Sequence, residues 1–289
     1  MTPAQLEQVR RRFSARKRRA RRTVLSRMRE PSDLAYRSDL LDVTRGAQRL
    51  IRDDLEPWLR ARLDAPGGSD ELRALFARIR IKTEQFVTRL APNVAARFVR
   101  DSERDNRAAM NAQYKTLLLV EPFRGNRGLE STMRARVRTN VDLITSIPVE
   151  LLTQVEEVVR PAVSTGLRVE ELMRQVRERF DVSDSRAQLI ARDQVGKFNG
   201  ELARVRAQSL GVETYVWSTS KDQRVRSDHS ELEGTVQRYA SPPVVDVKTG
   251  RTGNPGDDYQ CRCQALPQVS ALLDALEIPD EIDVVEDDS

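Results

Sequence analysis

The sequence predicts a mainly α protein: a long helical N-terminal region followed by a small α+β C-terminal module. Three observations carry this. Before residue 210 the apolar residues recur at helical spacing, and no stretch sustains period-two alternation. After Gly211, Val212–Thr219 alternates and is rich in β-formers. Beyond it Pro242, Pro243, Gly250, Gly253, Pro255 and Gly256 punctuate a loop-rich stretch. The 289 residues fit one large domain or two small ones. At 39% hydrophobic and 32% charged, much of the helix surface should be exposed.

Thr2-Pro3 starts a first helix that should run to about Arg29 and stop at Pro31. Ser32 caps a second, whose stripe is Leu40, Leu41, Leu50, Ile51, Leu55 and Leu59, ending near Leu63. Residues 64–68 (Asp-Ala-Pro-Gly-Gly) break the chain. Ser69 caps a third helix carrying Leu72, Leu75, Phe76, Ile79, Phe86, Val87 and Leu90. Pro92 should bend or restart it before it ends near Leu119. Residues 121–128 read as a loop. Helices are expected near 129–146, 149–164 and 169–180, separated by Pro148 and Gly166. Residues 181–185 read as a connector, with Asp184 or Ser185 capping a long helix to Leu210 that Gly211 stops. A second β piece is expected at 243–247. The expected organisation is a basic helical arm (1–30), a helical region (31–184), an α+β module (185–268) and an acidic tail (269–289).

Charge is segregated. Residues 1–30 hold Arg10, Arg11, Arg12, Arg16, Lys17, Arg18, Arg19, Arg21, Arg22, Arg27 and Arg29 against Glu7 and Glu30, a charge of +9. Residues 272–289 carry eight acids and no base, so the net +5 hides a basic head and an acidic tail. Such a head can neutralise nucleic-acid phosphates. Phe13 is its only aromatic, so base stacking is not indicated. The alternative is a solvated helix written with Arg, since 43 of the 49 bases are Arg. No apolar run approaches the roughly 18 residues that span a bilayer. The N-terminus lacks the apolar run of a secretory signal, so a reducing, cytoplasmic setting is expected; an amphipathic transit peptide is the alternative.

The chain has one His and two Cys, which excludes a multi-histidine metal site and a disulfide scaffold. All three fall within 35 residues, as His229, Cys261 and Cys263. Thiolates and an imidazole gathered this way suit a structural zinc ion, with Asp222 the favoured fourth ligand over Asp228. The competing reading is two small buried hydrophobes beside a hydrogen-bonded His. No Gly-rich phosphate loop, Ser/His/Asp order or metal-hydrolase motif is present, so a non-enzyme is expected. A cysteine nucleophile paired with His229 is the enzymatic alternative.

Six landmarks stand in order along the module: Ile190-Ala-Arg-Asp-Gln194, Asn199-Gly200, Trp217, Asp222 to His229 (Asp-x-Arg-Val-Arg-x-x-His), Leu232 to Gly234, and Pro255-Gly256 with Cys261-Arg-Cys263. In these residues the segment from about 185 to 265 resembles the phage Mu F-like head morphogenesis domain of tailed-phage minor head proteins. The family commonly has Arg-Thr-Glu where this chain has Arg192-Asp193-Gln194. With Arg192 kept, a structural role for the helix is expected, and Arg192 could pair with Asp222 or another acid of the module. Arg192, Trp217, Arg226 and Gly234 are the expected structural markers. The resemblance implies a low-copy virion protein inside the capsid, made in the host cytoplasm. Its implied partners are the portal protein, capsid or scaffold proteins, and packaged DNA through the basic arm, with no membrane. A stand-alone, non-specific DNA-binding protein is the competing class.

Overall fold

The computed structural model describes Met28 and residues 33–62, 69–118, 121–125, 128–165 and 167–269. It is mainly helical, with four long helices ahead of a small sheet-containing region. These are α1 (Leu34–Arg62), α2 (Ser69–Leu118), α3 (Glu130–Thr165) and α4 (Val169–Ser209). After them come β1 (Thr214–Ser218), α5 (Ser227–Glu231), β2 (Val236–Arg238), β3 (Val244–Asp246), β4 (Arg251–Thr252) and β5 (Gln264–Pro267). Contacts divide the chain into two compact units. One comprises residues 32–101 and 130–195; the other includes 102–129 and the chain from Gly196 onward. The boundary expected at 184/185 thus falls inside α4, and the sheet-bearing unit also recruits the last part of α2.

In the helical unit the periodic stripes become the core. On α1, Tyr36, Leu40, Val43, Ala47, Ile51, Leu55 and Leu59 are all buried, at steps of three or four. Ile51 and Leu55 join Leu75 and Phe76 of α2 and Leu151 and Val155 of α3 in one cluster. Tyr36 stacks on Phe98 at 4.1 Å and donates its hydroxyl to the buried Asn140 Oδ1 at 2.7 Å. Paired charges line the surface, among them Lys82–Asp54 (2.7 Å) and Arg97–Asp39 (2.5 Å).

Two expected breaks do not occur. Pro148 lies inside α3, so 129–146 and 149–164 are one helix. A proline in a helix interior costs about 3 kcal/mol. Ile144, Ile147, Leu151 and Leu152 around it are all buried, and each such burial contributes about 1.5–3 kcal/mol. The apolar stripe therefore outweighs the lost hydrogen bond. Residues 181–185 are likewise helical, within α4. Gln48 Nε2 donates to Phe180 O (3.1 Å) and Asp184 Oδ1 (2.8 Å), so the Asp184 carboxylate holds α1 instead of capping a helix. Pro92 also lies within a single helix.

In the sheet unit, β1 is the central strand of the order β2-β1-β5, antiparallel on both sides. β3 and β4 form a separate antiparallel pair. Gly211, at φ +78°, ends α4 as expected, with Val212 N donating to Ala207 O. Alternation along β1 turns Tyr215 and Trp217 inward. They pack with Met110 and Tyr114 of α2, Ala203 and Ala207 of α4, Tyr239 and Val245. The nine arm residues Arg10 to Arg22 and the acidic tail from residue 270 lie outside the described residues, as does the break at 64–68. Met28 is described and is not helical, so the helix expected to reach Arg29 does not include it. Its backbone instead exchanges two hydrogen bonds with the Gln264 side chain, at 2.9 and 3.0 Å.

Candidate metal centre

The site is built where the loop after β4 folds back over α5. Asn199-Gly200 of α4 makes this approach possible. A Cβ on Gly200 would lie 2.9 Å from the Pro255 carbonyl oxygen, closer than real contacts allow, and one on Gly256 would meet Gly196 O at 3.4 Å. Gly256 itself takes φ +94°, a conformation that favours glycine. The Asn199 side-chain oxygen accepts from Asn106 Nδ2 at 2.5 Å, fixing α2 beside the same turn of α4.

On this base the loop brings Cys261 and Cys263 to His229 of α5. Both sulfurs lie 3.6 Å from one ring nitrogen, His229 Nδ1. The three donor atoms are all within 4.8 Å of one another. His229 and Cys263 are buried, and Cys261 is partly so. Trp217 meets the imidazole edge-on, with ring centres 5.6 Å apart. Behind the ring, Asp258 Oδ2 stands 3.3 Å from His229 Nε2. That buried carboxylate is held by Arg251 (2.8 Å), by Arg226 (3.4 Å) and by the Tyr259 amide (2.7 Å).

Hydrogen bonding with Cys263 is the main cause that lowers the Cys261 thiol, with His229 and the Cys263 and Gly256 amides adding to it against burial. His229 is raised, first by its hydrogen bond with Cys261. The cluster is a set of soft donors in mutual contact, the chemistry a thiolate-binding metal requires.

Asp222 is not among these donors. Residues two apart in an extended chain share a face, and the residue between them points away. Cys261 and Cys263 face His229, whereas the intervening Arg262 binds Asp222 at 2.5 and 2.6 Å. This pair holds the exposed Asp222 carboxyl below its usual range. Arg192, expected to pair with Asp222 or another acid of the module, is exposed. Asp228 is engaged by the Val247 amide and the Ser227 hydroxyl. Ala191, Asp193 and Gln194 of the helix motif are buried, the last two being where the sequence departs from the family pattern. Gln194 bonds Asp193 at 3.1 Å and accepts from Arg136 at 3.4 Å.

The other markers have local tasks. Gly234, at φ +75°, donates its amide to Trp217 O, closing the turn into β2. Arg226 ties the start of α5 to the loop through Asp258 and Tyr259 O. Asp258 escaped the sequence reading. Its only signal was the Asp257-Asp258 pair ahead of Cys261, with nothing to say which carboxylate turned inward.

The fold and this centre define a helical protein with a small, donor-braced module. Residues 153–266, under half of the chain, match the family described as Phage Mu protein F like protein. An uncharacterised protein of Haemophilus influenzae is 32% identical over 183 residues, 62% of this chain and 40% of that protein. The chain thus spans well under two thirds of that relative's length. No solved structure matches the chain. No helix among the described residues is long and apolar enough to cross a membrane.

Proposed function

We propose that this chain is a minor head protein of a tailed phage, bound to the portal inside the capsid and contacting capsid or scaffold proteins during assembly. The observation that carries the reading is the match of residues 153–266 to the Phage Mu protein F like family. A role in assembly is also supported by the charge distribution, with +9 in residues 1–30 and eight acids in the last eighteen. Particles purified with and without portal should differ: the protein is expected in the first and lost from the second. Equal incorporation in portal-less particles refutes the portal contact.

The basic arm supports a second element of the reading, contact with packaged DNA by phosphate neutralisation. Deleting residues 1–30 should remove salt-sensitive binding to duplex DNA of any sequence. Unchanged binding after the deletion refutes the arm's role. An enzymatic reading of Cys261 with His229 is disfavoured by their setting. A second thiol sits equally close to the imidazole, and His229 is only 2% exposed. A nucleophile and its base must meet a substrate.

A further inference from the structure

We propose that His229 Nδ1, Cys261 Sγ and Cys263 Sγ bind one zinc ion, with Asp258 acting from behind as the carboxylate that orients the imidazole. The assignment is independent of the portal reading, since metal content tests one and particle incorporation the other.

Distance is the first argument. A tetrahedral zinc with Zn–S of about 2.3 Å and Zn–N of about 2.0–2.1 Å sets its sulfur and nitrogen ligands about 3.6 Å apart. Both Cys sulfurs stand at 3.6 Å from the same nitrogen.

The surroundings are the second. Metal-bound histidines commonly place the other ring nitrogen against a carboxylate, which fixes the tautomer and ring orientation. Here Asp258 Oδ2 lies 3.3 Å from Nε2, close but without hydrogen-bond geometry as the side chains stand; Nδ1, which faces both sulfurs, is the coordinating atom. Coordinated thiolates in turn accept backbone amides, and Cys263 N donates to Cys261 Sγ at 3.4 Å.

Donor chemistry is the third argument. Two cysteine sulfurs and one imidazole nitrogen are ligands of the kind zinc takes without redox chemistry.

Among the described residues no fourth His, Cys, Asp or Glu joins the group. The ion would clip α5 to a loop 32 residues further along the chain. The unit it braces has few strands and many turns, and coordination free energy there adds directly to folding free energy.

The test uses the full-length chain, purified reduced. Elemental analysis should find one zinc per chain. Cobalt(II) should replace it with a tetrahedral absorption spectrum and a thiolate-to-cobalt band of two-thiolate intensity, about halved in Cys261→Ser or Cys263→Ser. Asp258→Asn should weaken zinc binding about 10–100-fold, whereas Asp222→Asn should leave it unchanged. The two Asp variants and the wild-type spectrum remain informative if the Cys variants do not fold. A folded, metal-free chain that takes up neither zinc nor cobalt, or a cobalt spectrum without a thiolate band, overturns the site. Equal weakening by both Asp variants overturns the role given to Asp258.

Discussion

Replacing Arg206 with Met is expected to destabilise the sheet unit by about 3–5 kcal/mol, the cost of leaving one half of a buried ion pair unpartnered. Arg206 Nη2 meets Glu103 Oε1 at 2.5 Å, with both side chains nearly inaccessible. Its other terminal nitrogen donates to Asn106 Oδ1. Asn106 in turn reaches Asn199, so one polar chain joins the last part of α2 to α4. Burial pulls the guanidinium down to about 10, partly offset by Glu103. It therefore stays charged at neutral pH, and removing it strands a buried carboxylate. A urea titration followed by circular dichroism should show the midpoint fall. The double variant Glu103→Gln with Arg206→Met should recover much of the loss, because no charge is then left alone. A single variant as stable as the parent refutes the argument.

Trp217→Ala should cost about 3–5 kcal/mol, the range for deleting a fully buried large aromatic. Trp217 sits on the central strand, fully buried, and packs against the His229 ring. The cavity would open beside the donor cluster, so metal retention should fall together with the thermal midpoint. Trp217→Phe, which keeps a ring in place, should lose distinctly less of both. An alanine variant with an unchanged midpoint would show that the wall beside the imidazole is not held by this residue.

The helices were legible because their stripes are long. Seven residues from Tyr36 to Leu59 fall on one buried face, and periodicity over so many turns leaves little ambiguity. Breaks were harder. Pro148 and the run Asp181–Ser185 carry local signals for interruption, but tertiary packing and Gln48 override them. His229, Cys261 and Cys263 stood out by their rarity. Which carboxylate accompanies them did not, because Asp222 and Asp258 are chemically alike. The choice rests on which way Arg262 turns between the two cysteines. Glu103 and Arg206 are 103 residues apart, and nothing near either announces the other.

The sheet unit is drawn from separated stretches of chain, with residues 130–195 intervening between 102–129 and Gly196. During synthesis at roughly 5–20 residues per second, the earlier stretch therefore leaves the ribosome some seconds before its mate. Met110, Tyr114 and Glu103 must wait through that interval without the surfaces they later cover. Closing contacts so distant along the chain slows folding. A fragment that begins at residue 153 or 185 would never receive them, leaving Arg206 buried without its acid.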